Sequence, residues 1–78
     1  MTTLDQLRPG DRACVEAVRA EDALLQRLLE LGLFEGEEVE LVGRAPLGDP
    51  LEVRLGNSRL SLRAREAAAV TVRKLDPA

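Results

Sequence analysis

Apolar residues keep two different periods along this chain, and the changes between them outline its architecture. Between Arg12 and Arg19, Ala13, Val15 and Ala17 alternate with Cys14 and Glu16, the pattern of a strand with one buried face. Val18 falls on the wrong side of that alternation, which predicts a bulge or an early strand end. From about Asp22 to Leu31 the spacing changes: Leu24, Leu25, Leu28, Leu29 and Leu31 recur at three and four, one apolar stripe along a helix. Asp22 suits the N-cap or, failing that, the first turn, where its charge meets the positive helix end. Gly32 ends the helix. At C′ in the left-handed conformation it lets Leu33 at C″ pack on Leu28 at C3.

Beyond Gly36 the period is two again. Val39 and Leu41 face inward while Glu38 and Glu40 face out; Leu51, Val53 and Leu55 alternate with Glu52 and Arg54. Leu60 and Leu62 alternate with Arg59, Ser61 and Arg63, and Gly56-Asn57 between the last two runs predicts a tight hairpin turn. Pro9-Gly10 is a turn dipeptide, Arg65 to Ala68 a single helical turn, Val70-Thr71-Val72 a closing strand, and Lys74 to Ala78 a polar tail. Five short strands with one inserted helix predict a mainly β domain, a small barrel closed on itself so that no strand edge is exposed. One domain over residues 1–78 is expected, with its core at about 7–72.

Composition narrows the function. With 78 residues, the core is thin, and a deep dry cleft is hard to build. Phe34 is the only aromatic residue, so neither base stacking nor an aromatic groove for proline-rich peptides can be assembled. The net charge of −3 argues against nucleic acid; Arg54, Arg59, Arg63 and Arg65 make the nearest approach to a basic strip, and they alternate as solvent-facing strand positions do. There is no His and one Cys, which removes the usual nucleophile–base pairs, and no glycine-rich phosphate loop lies between a strand and a helix. No enzyme, cofactor or metal site is expected. Glu35, Glu37 and Glu38 read as a solvated cluster, and Cys14 as a small buried core residue. A single Cys and no basic n-region before an apolar stretch fit a cytoplasmic protein without membrane insertion.

Two segments stand out together: Leu28-Leu29-Glu30-Leu31-Gly32-Leu33-Phe34-Glu35-Gly36 and Arg44-Ala45-Pro46-Leu47-Gly48-Asp49-Pro50. A Leu-rich helix, L-G-L-x-x-G, a strand, A-P-L-G-D-P, a strand and then S-R-L-S-L-R closely resembles the FeoA family, from about Leu7 to Val72. The resemblance implies an SH3-like barrel with a helical insertion. It also implies a role in bacterial ferrous iron uptake beside FeoB, a membrane iron transporter with a cytoplasmic GTP-binding domain, and a family-level link to transition metals. FeoA-like domains also occur in iron-dependent repressors, so a regulatory domain associating with a repressor, or weakly with nucleic acid, is the alternative. The start methionine and short tail favour a stand-alone protein.

Partner contact is expected from Phe34 and from Pro46, Leu47, Gly48, Asp49 and Pro50. Two prolines lower the entropy lost in holding the loop, and Leu47 occupies a place where a polar residue is usual. Leu47 packing down onto the barrel is the competing reading, as burial is for Phe34. Phe34 and Leu47 together would make one patch. Leu31, Gly32, Leu33 and Gly36 are assigned structural roles, and self-association is left open.

Overall fold

The computed structural model describes residues 1–76. It contains β1 (Thr2–Thr3), a 3-10 turn (Leu4–Gln6), β2 (Arg12–Val18), α1 (Asp22–Glu30), β3 (Glu38–Arg44), β4 (Leu51–Leu55), β5 (Ser58–Leu62), α2 (Ala64–Ala67) and β6 (Val70–Lys74). All pairings are antiparallel, in the order β1-β6-β2-β3-β4-β5. Inward residues of every long strand meet in one core with Leu4, Leu7, Leu28, Leu33 and Ala67.

Most expected elements are present at nearly the expected bounds. The irregularity foreseen from Val18 is a register shift between Val15 and Ala17 against β6, and a second shift lies between Leu41 and Gly43 against β4. Gly56-Asn57 is the two-residue turn between β4 and β5. Lys74 belongs to β6, so the expected tail begins later; its residues 77–78 lie outside the described ones. At the other end β1 adds a sixth strand, and packing begins before residue 7, with Leu4 fully buried.

The sheet is not closed, and here the expectation of a sealed barrel fails. No ladder joins β5 to β1. Helical turns flank that seam, Leu4–Gln6 after β1 and Ala64–Ala67 after β5, and Ala64 N–H donates to Asp49 Oδ1. Buried Leu4 and Ala67 fill the gap by side-chain packing instead.

Helix α1 carries its apolar residues on two faces. Leu28 is buried and Leu24 and Leu31 pack on the core, while Leu25 and Leu29 are only half-buried. Glu21 is the N-cap, and Asp22, in the first turn, has φ 53°. At the other end Gly32 has φ 99° and donates to the Leu29 carbonyl (2.9 Å), and Leu33 donates to that of Leu28 (3.2 Å). That is the Schellman pairing read from the sequence, with both leucines buried.

Glu66, a residue that periodicity did not single out, fastens α1 to α2. Its carboxylate accepts from the Arg63 backbone N–H at 2.8 Å and from Arg27 Nε at 2.9 Å. The Arg63 N–H is the largest influence holding this carboxyl below the usual glutamate range; burial opposes it, and Arg27 adds to the lowering. Asp11 is lowered as well, chiefly by the Arg8 N–H, with the charge of Lys74 assisting against desolvation.

Two predictions follow from these contacts. A β-carbon on Gly32 would sit 3.0 Å from Leu55 Cδ2 in a left-handed backbone, so Gly32→Ala should cost about 1–2 kcal/mol in urea unfolding. Protonating Glu66 favours the unfolded chain, so its stabilisation is complete above the ordinary glutamate value of 4.5 and is lost as pH falls through the lower folded value. Glu66→Gln should therefore cost about 1–2 kcal/mol at neutral pH, discounted for the solvent exposure of Arg27. The deficit relative to the parent chain should shrink in melts taken below that pH window.

Candidate functional site

The Ala45–Pro50 loop is closed on itself. Ala45 N–H donates to the Pro50 carbonyl (3.0 Å), Gly48 N–H donates to that of Ala45 (2.7 Å), and Gly48 takes φ 88°. The Asp49–Pro50 peptide is cis. Asp49 Oδ1 accepts the Ala64 N–H at 2.9 Å, which ties the loop to the start of α2. At its base, Arg44 donates to the Asp5 and Leu7 carbonyls. On this frame Leu47 is 97% exposed, so its packing down onto the sheet is excluded. Asp49 has a structural hydrogen bond in place of a free carboxylate, and Arg63 and Arg65 border a shallow depression beside it.

Phe34 sits at the other end of β3. The Leu33–Glu37 connection is held by hydrogen bonds: Phe34 N–H to Gly32 O (2.9 Å), Glu37 N–H to Phe34 O (3.0 Å) and Gly36 N–H to Val15 O (2.8 Å). Gly36 takes φ 92°. Phe34 is therefore 51% exposed on a fixed backbone. It faces Leu25 and Leu29 of α1 across an open groove of about 690 Å³, also lined by Asp22, Gln26, Glu30 and Gly32. Leu47 does not line that groove, and the single Phe34–Leu47 patch is not formed there. The loop residues Ala45 and Pro50 border a different depression, with Val42, Gly43, Arg44, Leu51, Glu52 and Ser61.

Three of the charged residues singled out earlier, Glu38, Arg54 and Arg59, are in ion pairs. Arg12 meets Glu38, Arg54 meets Glu40 at 3.5 Å, and Arg59 meets Glu52 at 3.6 Å. Two arginines of the strip, Arg54 and Arg59, are cross-strand neighbours and each has a carboxylate partner. Among the described residues no group of three or more His, Cys, Asp and Glu side chains is placed to hold a metal ion. Cys14 is half-buried on the outward side of β2 and is absent from the core, which corrects its reading as a core residue. It sits beside Glu38 and Arg73 on the flanking strands because the β2 alternation buries Ala13 and Val15.

The family model of the FeoA domain matches residues 2–74. The chain belongs to the FeoA family. A curated FeoA relative is the "Fe(2+) transport protein A/Fe(2+) transporter FeoB fusion protein" of Porphyromonas gingivalis, 35% identical over 69 residues. The match covers 88% of this chain and only 8% of the fusion. The solution structure of FeoA from Chlorobium tepidum is 43% identical with TM-score 0.89, over 96% of this chain and 71% of that one. FeoA of Stenotrophomonas maltophilia, described as an SH3 domain protein complexed with zinc, is 43% identical with TM-score 0.81, over 92% and 89%. A manganese-dependent transcriptional repressor shares the fold at 19% identity and TM-score 0.86, over 95% of this chain and 36% of that one.

Leu47 touches too little of the domain to support it. Leu47→Asp should leave thermal stability within about 0.5 kcal/mol of the parent, and a larger loss in a calorimetric melt would show that the side chain packs after all.

Proposed function

We propose that this chain is a non-enzymatic accessory module of bacterial ferrous iron uptake, docking on the cytoplasmic region of a FeoB-like GTP-binding transporter and modulating it. The observation that carries this reading is the fusion protein, in which a domain of this family shares one polypeptide with an iron transporter. Linking two modules makes their encounter intramolecular, at an effective concentration in the millimolar range for a short flexible linker (roughly). Modules on separate chains need an interface that supplies the affinity themselves.

Two features of this chain suit such an interface. Leu47 and Phe34 are apolar, exposed and carried on hydrogen-bonded loops, so little conformational entropy is lost when they are covered. The loop around Leu47, with Pro46, Gly48, Asp49 and Pro50, is the first contact we assign, and Phe34 the second. Among the described residues no helix is long and apolar enough to cross a membrane. The likeness to repressors speaks for the fold alone and adds no support for a DNA-linked role.

Size-exclusion co-migration with the purified cytoplasmic region of a FeoB-like transporter, nucleotide-free and GTP-bound, tests this reading. We expect a complex in at least one nucleotide state, weakened about fivefold or more by Leu47→Asp. Absence of a complex in both states at tens of micromolar (roughly) would count decisively against docking.

A further inference from the structure

We propose that the groove between α1 and Phe34 is the docking site for an amphipathic helix that carries Lys or Arg beside its apolar stripe. Asp22, Leu25, Gln26, Leu29 and Glu30 follow the spacing that puts side chains on one helix face, and together with Gly32 and Phe34 they line the groove. Leu25 and Leu29 are surplus to the core, which Leu24, Leu28 and Leu31 already serve. An apolar face left over once the core is complete is the surface that helix-in-groove recognition uses. The groove runs along a helix of nine residues, about 13 Å, enough to hold two turns or more of a partner helix.

Charge selects the occupant. Asp22 and Glu30 stand toward the two ends of the groove, and no cation lines it. The one cation of α1, Arg27, is drawn away by Glu66 at 2.9 Å. A partner with basic residues flanking two apolar anchors therefore meets complementary charge at both ends, while an acidic helix meets repulsion. Asp22 holds a left-handed φ of 53° at the groove mouth, a conformation that Asp tolerates better than most residues.

The inference rests on the docking reading only for the part that Phe34 plays, and the two fail separately. The probe is an amphipathic leucine–lysine peptide of about fifteen residues, titrated into the 15N-labelled chain. Controls are a scrambled peptide of the same composition and a version with glutamate in place of lysine. We expect amide shifts concentrated between Asp22 and Phe34, at least tenfold weaker binding in Leu25→Lys and Leu29→Lys, and weaker binding in the milder Asp22→Asn/Glu30→Gln variant. Equal binding of the scrambled or glutamate peptide overturns the proposal, as do shifts centred on Leu47 or no shifts at all. Concentration-dependent shifts of the same amides in the chain alone would assign the groove to a second copy and likewise overturn it. Co-migration with the transporter region, measured separately, decides the docking reading whatever the peptide does.

Discussion

Helix α1 is joined to the sheet by no backbone ladder, so its position depends on how it ends. Gly32 turns the chain through a left-handed residue, and the Leu33 N–H to Leu28 carbonyl bond brings two leucines into the core from either side of the cap. With Leu28 and Leu33 seated, the rotation of α1 about its own axis is settled, and the Arg27–Glu66 pair holds its far side against α2. Leu25 and Leu29 are thereby turned outward, and Phe34, two residues past the cap, is set opposite them. One capping motif thus shapes both the core and a surface.

The same economy applies at the other end of β3. Arg44, Asp49 and the closed Ala45–Pro50 turn use their hydrogen-bonding groups on the protein's own backbone, and what remains outside is an unsupported leucine. The domain offers two separate apolar features with different charge around them: carboxylates near Phe34, and the guanidinium groups of Arg63 and Arg65 beside the Asp49 end of the Leu47 loop. Two such features allow a small domain to engage one partner at two places, or two segments in turn.

Much of this was legible because the responsible forces are local. Alternation found β2 to β5, the Val70-Thr71-Val72 run found β6, the period of three and four found α1, Gly56-Asn57 found the hairpin, and Gly32-Leu33 found the cap with its partner Leu28. Elements that tertiary context creates were not. A two-residue β1 has too little pattern to detect, and the open seam depends on helical turns meeting across the fold. Sequence spacing made α1 one stripe, but the core accepts only part of it. Phe34 and Leu47 were both recognisable as unusual, yet only the fold shows that they are carried on connections at opposite ends of β3 and that Leu47 is absent from the groove beside α1. Glu66 had a signal that was available, a carboxylate three residues beyond Arg63 at the start of a short helix.

Hydrogen–deuterium exchange on the chain alone and mixed with the transporter's cytoplasmic region tests most directly whether these exposed apolar features exist to be covered. The account predicts slowed exchange at Gly48 and its neighbours, at the Phe34 turn, or at both, with β1 and β6 unchanged. Slowing confined to the β5 edge, or none anywhere under conditions where a complex forms, would contradict it.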